Sequence, residues 1–265
     1  MDFTVFIAVV PGWISGFFIN YASDVLPVTR RFSRPDCRNC QNEITWIDYL
    51  LLRRCTSCGI ARSGRAWIVQ ALSTVVFVYF WLNTPKVFTV LGLPLSLIVF
   101  VYFAVITVID LEHRLILFPT SIFGAALGLV VGTLIYKQSS GASLVSAMIS
   151  SLLGGVIGFG VMYLLYQFGT LVARIRAKRL TAAGQADDEE EALGGGDVYL
   201  AGVLGLMLGS RFIINGLAYG IILGGLASIL FLIVMRLRGA GQALMTFIPY
   251  GPYLIAGAFI VLFLG

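Results

Sequence analysis

Residues 87–110 read VFTVLGLPLSLIVFVYFAVITVID, and this stretch decides the fold. No charged side chain interrupts it until Asp110 closes it. A helix needs about 20 mostly apolar residues to cross roughly 30 Å of hydrocarbon, and this run supplies them. Outward from it, comparable runs fall at about 3–23, 66–83, 115–136, 143–172, 198–210, 212–235 and 244–264, making eight with 87–109. The expected fold is an all-α polytopic membrane protein with eight transmembrane helices. The first run has no Lys or Arg ahead of it and no small-residue cleavage site behind it, so it reads as a retained span and not as a signal peptide.

Composition agrees. Of 265 residues, 58% are hydrophobic and 12% are charged, against about 25% charged in a soluble domain. An ordinary soluble enzyme, a disordered chain and a coiled coil are excluded, and four cysteines are too few for a disulfide scaffold. The net charge of +5 would suit a nucleic-acid binder in a soluble protein. In a membrane protein it reports orientation instead, and no nucleic-acid partner is expected.

Fifteen of the 18 basic residues fall in alternate loops: eight arginines between Arg30 and Arg65, then Arg114, then Arg174, Arg176, Lys178 and Arg179, then Arg236 and Arg238. Lys86, Lys137 and Arg211 occupy the other side. The positive-inside bias therefore places the Arg-rich loops in the cytoplasm and both termini outside. The expected organisation is a first transmembrane helix at 1–27, a cytoplasmic module at 28–65, and a seven-helix membrane core at 66–265. That core carries a cytoplasmic loop at 174–196, whose basic run and Asp187–Glu191 acidic run read as a solvated, partly disordered segment.

The cytoplasmic module holds all four cysteines as Cys37-Arg-Asn-Cys40 and Cys55-Thr-Ser-Cys58, with 14 residues between the pairs. Two such knuckles suit tetrahedral thiolate coordination of zinc, since each offers two ligands from one tight turn. The gap is one residue under the usual 15–20. Neighbouring Arg34, Arg38, Arg53 and Arg54 favour the thiolate form, and a reducing cytoplasm disfavours disulfides. A four-cysteine site has no open position, so the expected zinc is structural.

Ionisable groups at membrane level are expensive and mark functional sites. Asp110 ends the third run, and Asp197 opens the sixth after Gly194-Gly195-Gly196. Two carboxylates at one depth can share a proton and activate water, as in aspartic proteases. Three readings stay open on these residues alone: such a dyad, the proton sites of an ion-coupled transporter, and plain solvation of helix ends. Glu112, His113 and Arg114 read as solvated residues at headgroup level.

Five blocks carry a resemblance. Gly194-Gly195-Gly196-Asp197 fits a GxGD motif, and Ile109-Asp110-Leu111 fits a second aspartate signature. Gly16-Phe17-Phe18-Ile19-Asn20, continuing to Leu26-Pro27, is similar to GSFLN…LP, and the paired cysteines follow it. Ile248-Pro249-Tyr250-Gly251-Pro252-Tyr253 is similar to IPFGPF. Together they resemble the type IV prepilin peptidase family, in its bacterial form with two CxxC pairs.

The resemblance implies a membrane aspartic endopeptidase of the bacterial inner membrane. Such an enzyme removes the leader from type IV prepilins or pseudopilins, whose apolar N-terminal helix lies in the bilayer, at the cytoplasmic face. Asp110 and Asp197 would be catalytic, and Gly194, Gly195, Gly196, Pro249 and Gly251 would line the substrate. Many bacterial members also N-methylate the new N-terminus with S-adenosylmethionine, an activity that Asp24 and Glu43 would be placed to serve; no Gly-rich strand-turn-helix unit for that cofactor is present. A pilus-assembly scaffold without catalysis remains the alternative alongside the transporter. Departures from the family pattern are Tyr199 for Lys, Phe17 for Ser and Thr120 for an acidic or amide residue. The helix dipole divides the roles: Asp110 at a helix C-terminus favours the protonated acid, and Asp197 at an N-terminus favours the carboxylate base.

Overall fold

The computed structural model describes residues 4–182, 194–237 and 249–264. Its helices are α1 (Thr4–Thr29), α2 (Trp46–Leu50), α3 (Gly64–Leu82), α4 (Lys86–His113), α5 (Phe118–Ser140), α6 (Leu144–Ala182), α7 (Gly195–Leu237) and α8 (Gly251–Phe259), the last running into a π-helical turn at Ile260–Leu264. Among the described residues, five helices, α3 to α7, are long and apolar enough to cross a membrane. The protein is an all-α membrane protein, and its helix count differs from the eight expected runs. The runs at 198–210 and 212–235 fall in the single element α7, and the last apolar helix is short.

The chain divides into two compact units, one of residues 1–89 with 93–113 and one of 90–92 with 114–265. In the first, α1 packs against α3. The buried Asn20 amide donates to the Ala66 carbonyl oxygen at 3.0 Å, and Gln70 Nε2 donates to the Trp13 carbonyl oxygen. Between apolar helices, such polar pairs supply the specific attraction that lipid-like side chains do not. The Trp13 indole N–H reaches the Leu50 carbonyl oxygen at 3.1 Å, fastening α2 over α1. Phe17, Tyr21, Trp46 and Tyr49 stack edge to face around that junction.

The expected 87–109 span is interrupted. Gly92 has φ 73° and ψ 161°, outside the helical region. The Phe80 ring meets both Phe88 (5.4 Å) and Phe100 (6.1 Å), though 12 residues of straight helix would separate those two by about 18 Å. The chain therefore bends sharply at Gly92, and the continuous helix runs from Leu93 to His113.

In the second unit α7 is the centre, with α5, α6 and α8 against it. Gly209 (φ 67°, ψ 174°) breaks it. A Cβ on Gly158 of α6 would meet both Ala201 and Ile213, and one on Gly216 would meet Leu208. A straight helix cannot bring residues 201 and 213 to one glycine, so α7 doubles back at Gly209. The two expected runs at 198–210 and 212–235 are the arms of this hairpin. The reversal frees backbone carbonyls, and Ser151 Oγ donates to that of Leu206 at 2.7 Å while Ser150 and Ser210 hydroxyls pair at 2.9 Å. Such side chains replace the water that hydrocarbon lacks.

α6 continues to Ala182, so the basic run Arg174–Arg179 is helical and not loop. The acidic run Asp187–Glu191 lies outside the described residues, as do Arg238 and Ile248.

Candidate functional site

Asp110 stands three residues before the end of α4 and is buried, at 5% exposure. Neighbours on the same helix, Ile106 and Ile109, are buried with it, whereas Leu111 faces outward. Asp197 lies in the first turn of α7, again buried at 7% exposure, and its backbone N–H donates to the Gly194 carbonyl oxygen at 3.0 Å. α4 thus ends shortly after one carboxylate, and α7 begins shortly before the other. Asp110 belongs to the first unit and Asp197 to the second.

Gly194 precedes α7, Gly195 opens it, and a Cβ on Gly196 would press on Ile116 at 3.0 Å. Residues 249 and 250 are not helical, and α8 starts at Gly251, with Pro252 in its first turn and Pro249 just outside. Tyr250, between Pro249 and Gly251, lies within reach of the Asp197 charge, and its ring packs on Gly224. The structure therefore brings Asp197 and the 249–251 segment into one neighbourhood. Tyr199 is half exposed, with its ring edge to face against Phe159 at 5.9 Å. It lines a hollow of about 540 Å³ with Phe118, Ser121, Phe159, Gly160 and Gly202, whose walls are almost wholly apolar. Thr120 turns its hydroxyl to the Leu117 carbonyl oxygen at 2.7 Å at the start of α5.

The four cysteines converge. Cys37 and Cys58 sulfurs are 3.6 Å apart, Cys40 and Cys55 3.7 Å, and all four lie within 4.8 Å of one another. Thiolates about 2.3 Å from a tetrahedral zinc would be separated by about 3.8 Å, so the residues fit that metal. The two knuckles share one turn: Gln41 N–H donates to the Cys37 carbonyl oxygen at 2.8 Å and Gly59 N–H to that of Cys55 at 2.9 Å. Backbone N–H groups aim at the sulfurs. Those of Cys40 and Asn39 lower the Cys37 thiol, and those of Cys58 and Ser57 bring Cys55 down to about 6. At Cys40 the Asn42 N–H works in the same direction, but burial and the neighbouring thiols prevail and hold it up at about 12. A cluster with thiols pulled both ways is one that a dication, or a shared proton, completes.

A further set of residues is joined by an ion-pair network that the sequence pattern did not connect. Asp24, on α1, accepts from Arg38 at 2.8 Å and Arg62 at 3.3 Å, and also from Arg65 and the Tyr49 hydroxyl. Arg62 also lies over the Tyr49 ring, 4.0 Å from its centre. Glu112 is not freely solvated: its carboxylate meets Arg38 at 3.1 Å and Arg65 Nε at 3.0 Å. Burial alone would lower the Arg38 guanidinium, and Asp24 and Glu112 together raise it instead. In Tyr49, burial followed by the Asp24 charge pushes the phenol up. Glu43, by contrast, makes only an exposed pair with Arg34 at 2.8 Å. The signal available beforehand was the charge count: eight arginines in one short loop need nearby carboxylates.

The apolar hollow beside Tyr199 offers no partners for the amino-acid or adenine parts of S-adenosylmethionine, so it does not fit that group. The family model described as the type IV leader peptidase family matches residues 97–229, a span that contains both Asp110 and Asp197. The chain is 26% identical over 241 residues to the prepilin leader peptidase/N-methyltransferase of Vibrio cholerae, covering 87% of this chain and 81% of that protein. It is likewise 26% identical over 258 residues to the prepilin leader peptidase/N-methyltransferase of Myxococcus xanthus, covering 89% of this chain and 65% of that protein. No solved structure matches it.

Proposed function

The chain belongs to the type IV leader peptidase family, and on that footing we propose that it is a membrane-embedded aspartic endopeptidase that cuts the leader from type IV prepilins or pseudopilins at the cytoplasmic face of the bacterial inner membrane. The observation that carries the reading is the pair of buried aspartates at helix ends, Asp110 and Asp197, inside the family match. A carboxylate is costly to bury, so such groups in apolar helices are retained for chemistry.

In this mechanism Asp197 takes a proton from an attacking water and Asp110 donates one to the scissile carbonyl, with no covalent intermediate. The α7 N-terminus favours the carboxylate form of Asp197, and the C-terminal end of α4 favours the acid form of Asp110. Gly194, Gly195 and Gly196 let an extended peptide come close to Asp197, and Pro249 and Gly251 supply further backbone to it. The apolar hollow beside Tyr199 supports an apolar substrate stem near Asp197. Cys37, Cys40, Cys55 and Cys58 would hold a structural zinc, which supplies a cross-link for a module too small to build much of a core.

The test is cleavage of a prepilin-like peptide with a basic leader, a Gly at the junction and an apolar stem. Wild-type cleavage lost in both Asp110→Asn and Asp197→Asn is the expected result, by a factor on the order of 10²–10⁴. Full activity in either variant overturns the dyad. We extend the proposal to N-methylation of the new N-terminus on the names of the two curated relatives alone. Transfer of label from S-adenosylmethionine to leaderless pilin tests it, and absence of label overturns it.

A further inference from the structure

Glu112 carries the wrong charge for its position. It sits in the last turn of α4, where the helix dipole presents partial negative charge and favours Lys or Arg. Helix ends also fray, because their final carbonyls lack intrahelical partners. A carboxylate placed there weakens the end of the helix unless something outside the helix holds it. Here two arginines do. Arg38 Nη2 donates to Glu112 Oε2 at 3.1 Å, and Arg65 Nε lies 3.0 Å from Glu112 Oε1. Glu112 and Arg65 side chains are only 24% and 18% exposed, so this contact is not a screened surface pair.

The origin of the two arginines matters. Arg38 stands between Cys37 and Cys40, inside the first knuckle, and Arg65 is the second residue of α3. Both are fixed a second time by Asp24 on α1, which also accepts from Arg62, seven residues after Cys55, and from Tyr49 of α2. The last turn of α4 is thus tied to a framework of the cysteine knuckles, α1, α2 and α3, and Asp110 lies in that turn.

We infer that Glu112 is a positioning residue: through Arg38 and Arg65 it fastens the last turn of α4, and with it Asp110, to the cysteine module. The inference rests on the reading of Asp110 as catalytic for its consequence, and on the ion pairs alone for the tether. Filling the cysteine cluster fixes Arg38, and emptying it releases one anchor of the helix that carries Asp110. A group misplaced by about 1 Å can lose on the order of 100-fold in rate, so a loosened last turn appears in kcat before it appears in KM.

The experiment compares full-length wild type with Glu112→Gln, Arg38→Ala and the double variant, with Arg34→Ala as a control from the exposed pair. Three quantities are measured: amide hydrogen exchange over residues 108–114, zinc bound per chain, and kcat and KM on the prepilin-like peptide. Expected is faster exchange in Glu112→Gln and Arg38→Ala with zinc retained, kcat lower by about 10- to 100-fold, KM within about twofold, and a double variant no worse than the worse single. Chelation of zinc from the wild type should speed exchange of the same segment, a readout independent of activity. Arg34→Ala should match the wild type throughout. Unchanged exchange in Glu112→Gln, or wild-type kcat in it while Asp110→Asn is inactive, overturns the tether. A wild type that does not cleave, with exchange altered as expected, overturns the peptidase reading and leaves the tether supported.

Discussion

The Asn20 side-chain amide donates to the Ala66 carbonyl oxygen at 3.0 Å, fully buried between α1 and α3. Gln70, one turn further along α3, lies 3.5 Å from the same amide and reaches back to the Trp13 carbonyl oxygen. Asn20→Leu removes the donor and should cost about 0.6–1.5 kcal/mol, as single interhelical hydrogen bonds do. Thermal unfolding in detergent should record a lower midpoint, and an unchanged one would count against the pair.

The knuckle turns predict a gain as well as losses. Gln41 and Gly59 occupy matching positions after their cysteine pairs, and both are left-handed, at φ 58° and 70°. A side chain there strains the backbone by roughly 1–2 kcal/mol. Gln41→Gly should therefore retain zinc more tightly, seen as slower loss to a chelator. Faster loss would mean that the Gln41 side chain contributes more than its strain costs.

With zinc removed, the thiols should separate by reactivity. Cys55, held at about 6, is thiolate at pH 7, whereas Cys40, held at about 12, stays protonated. Alkylation mapped by mass spectrometry should modify Cys55 first and Cys40 last. The sign for stability follows: a depressed acid pKa stabilises the fold fully above the unfolded thiol value near 8.5 and loses that contribution as pH falls through about 6. The metal-free module should hence unfold more easily at pH 5 than at pH 8. Equal alkylation rates at Cys40 and Cys55 would contradict the assignment.

Two glycines of α6 give opposite forecasts. A Cβ on Gly154 would strike the backbone of Gly205 and Gly209, whereas one on Gly160 meets nothing within 4 Å. Gly154→Ala should destabilise by about 1–3 kcal/mol through overpacking. Gly160→Ala should be neutral or gain up to about 1 kcal/mol of helix propensity. Unfolding midpoints of the two variants, measured side by side, check the contrast.

Much of this fold is legible in the sequence because hydrocarbon imposes one rule along the whole chain. Apolar runs of about 20 residues become helices, and the division at 210–212 anticipates the α7 reversal. The break at Gly92 is not legible, since a lone glycine in an apolar run is also compatible with a straight helix. Nor is the helical state of Arg174–Arg179: its Arg, Lys and Ala residues are strong helix formers, but their charge reads equally as a solvated loop. The cysteine cluster is legible from spacing, because two short turns carry their geometry locally. Asp110 and Asp197 stand out because acids are scarce in such runs. The roles of Asp24 and Glu112 escape notice because their partners are up to 74 residues away, and no spacing rule connects them.

The reversal at Gly209 leaves α7 with arms of very unequal length. Residues 195–208 span about 21 Å and residues 210–237 about 42 Å at 1.5 Å per residue. A hydrocarbon layer near 30 Å matches neither. The short arm is enclosed by its neighbouring helices, whereas the long one must tilt or protrude to fit such a layer. Because the arms run back along one another, the two ends of α7 lie about 21 Å apart along the hairpin, and Asp197 stands in the first turn of the recessed one.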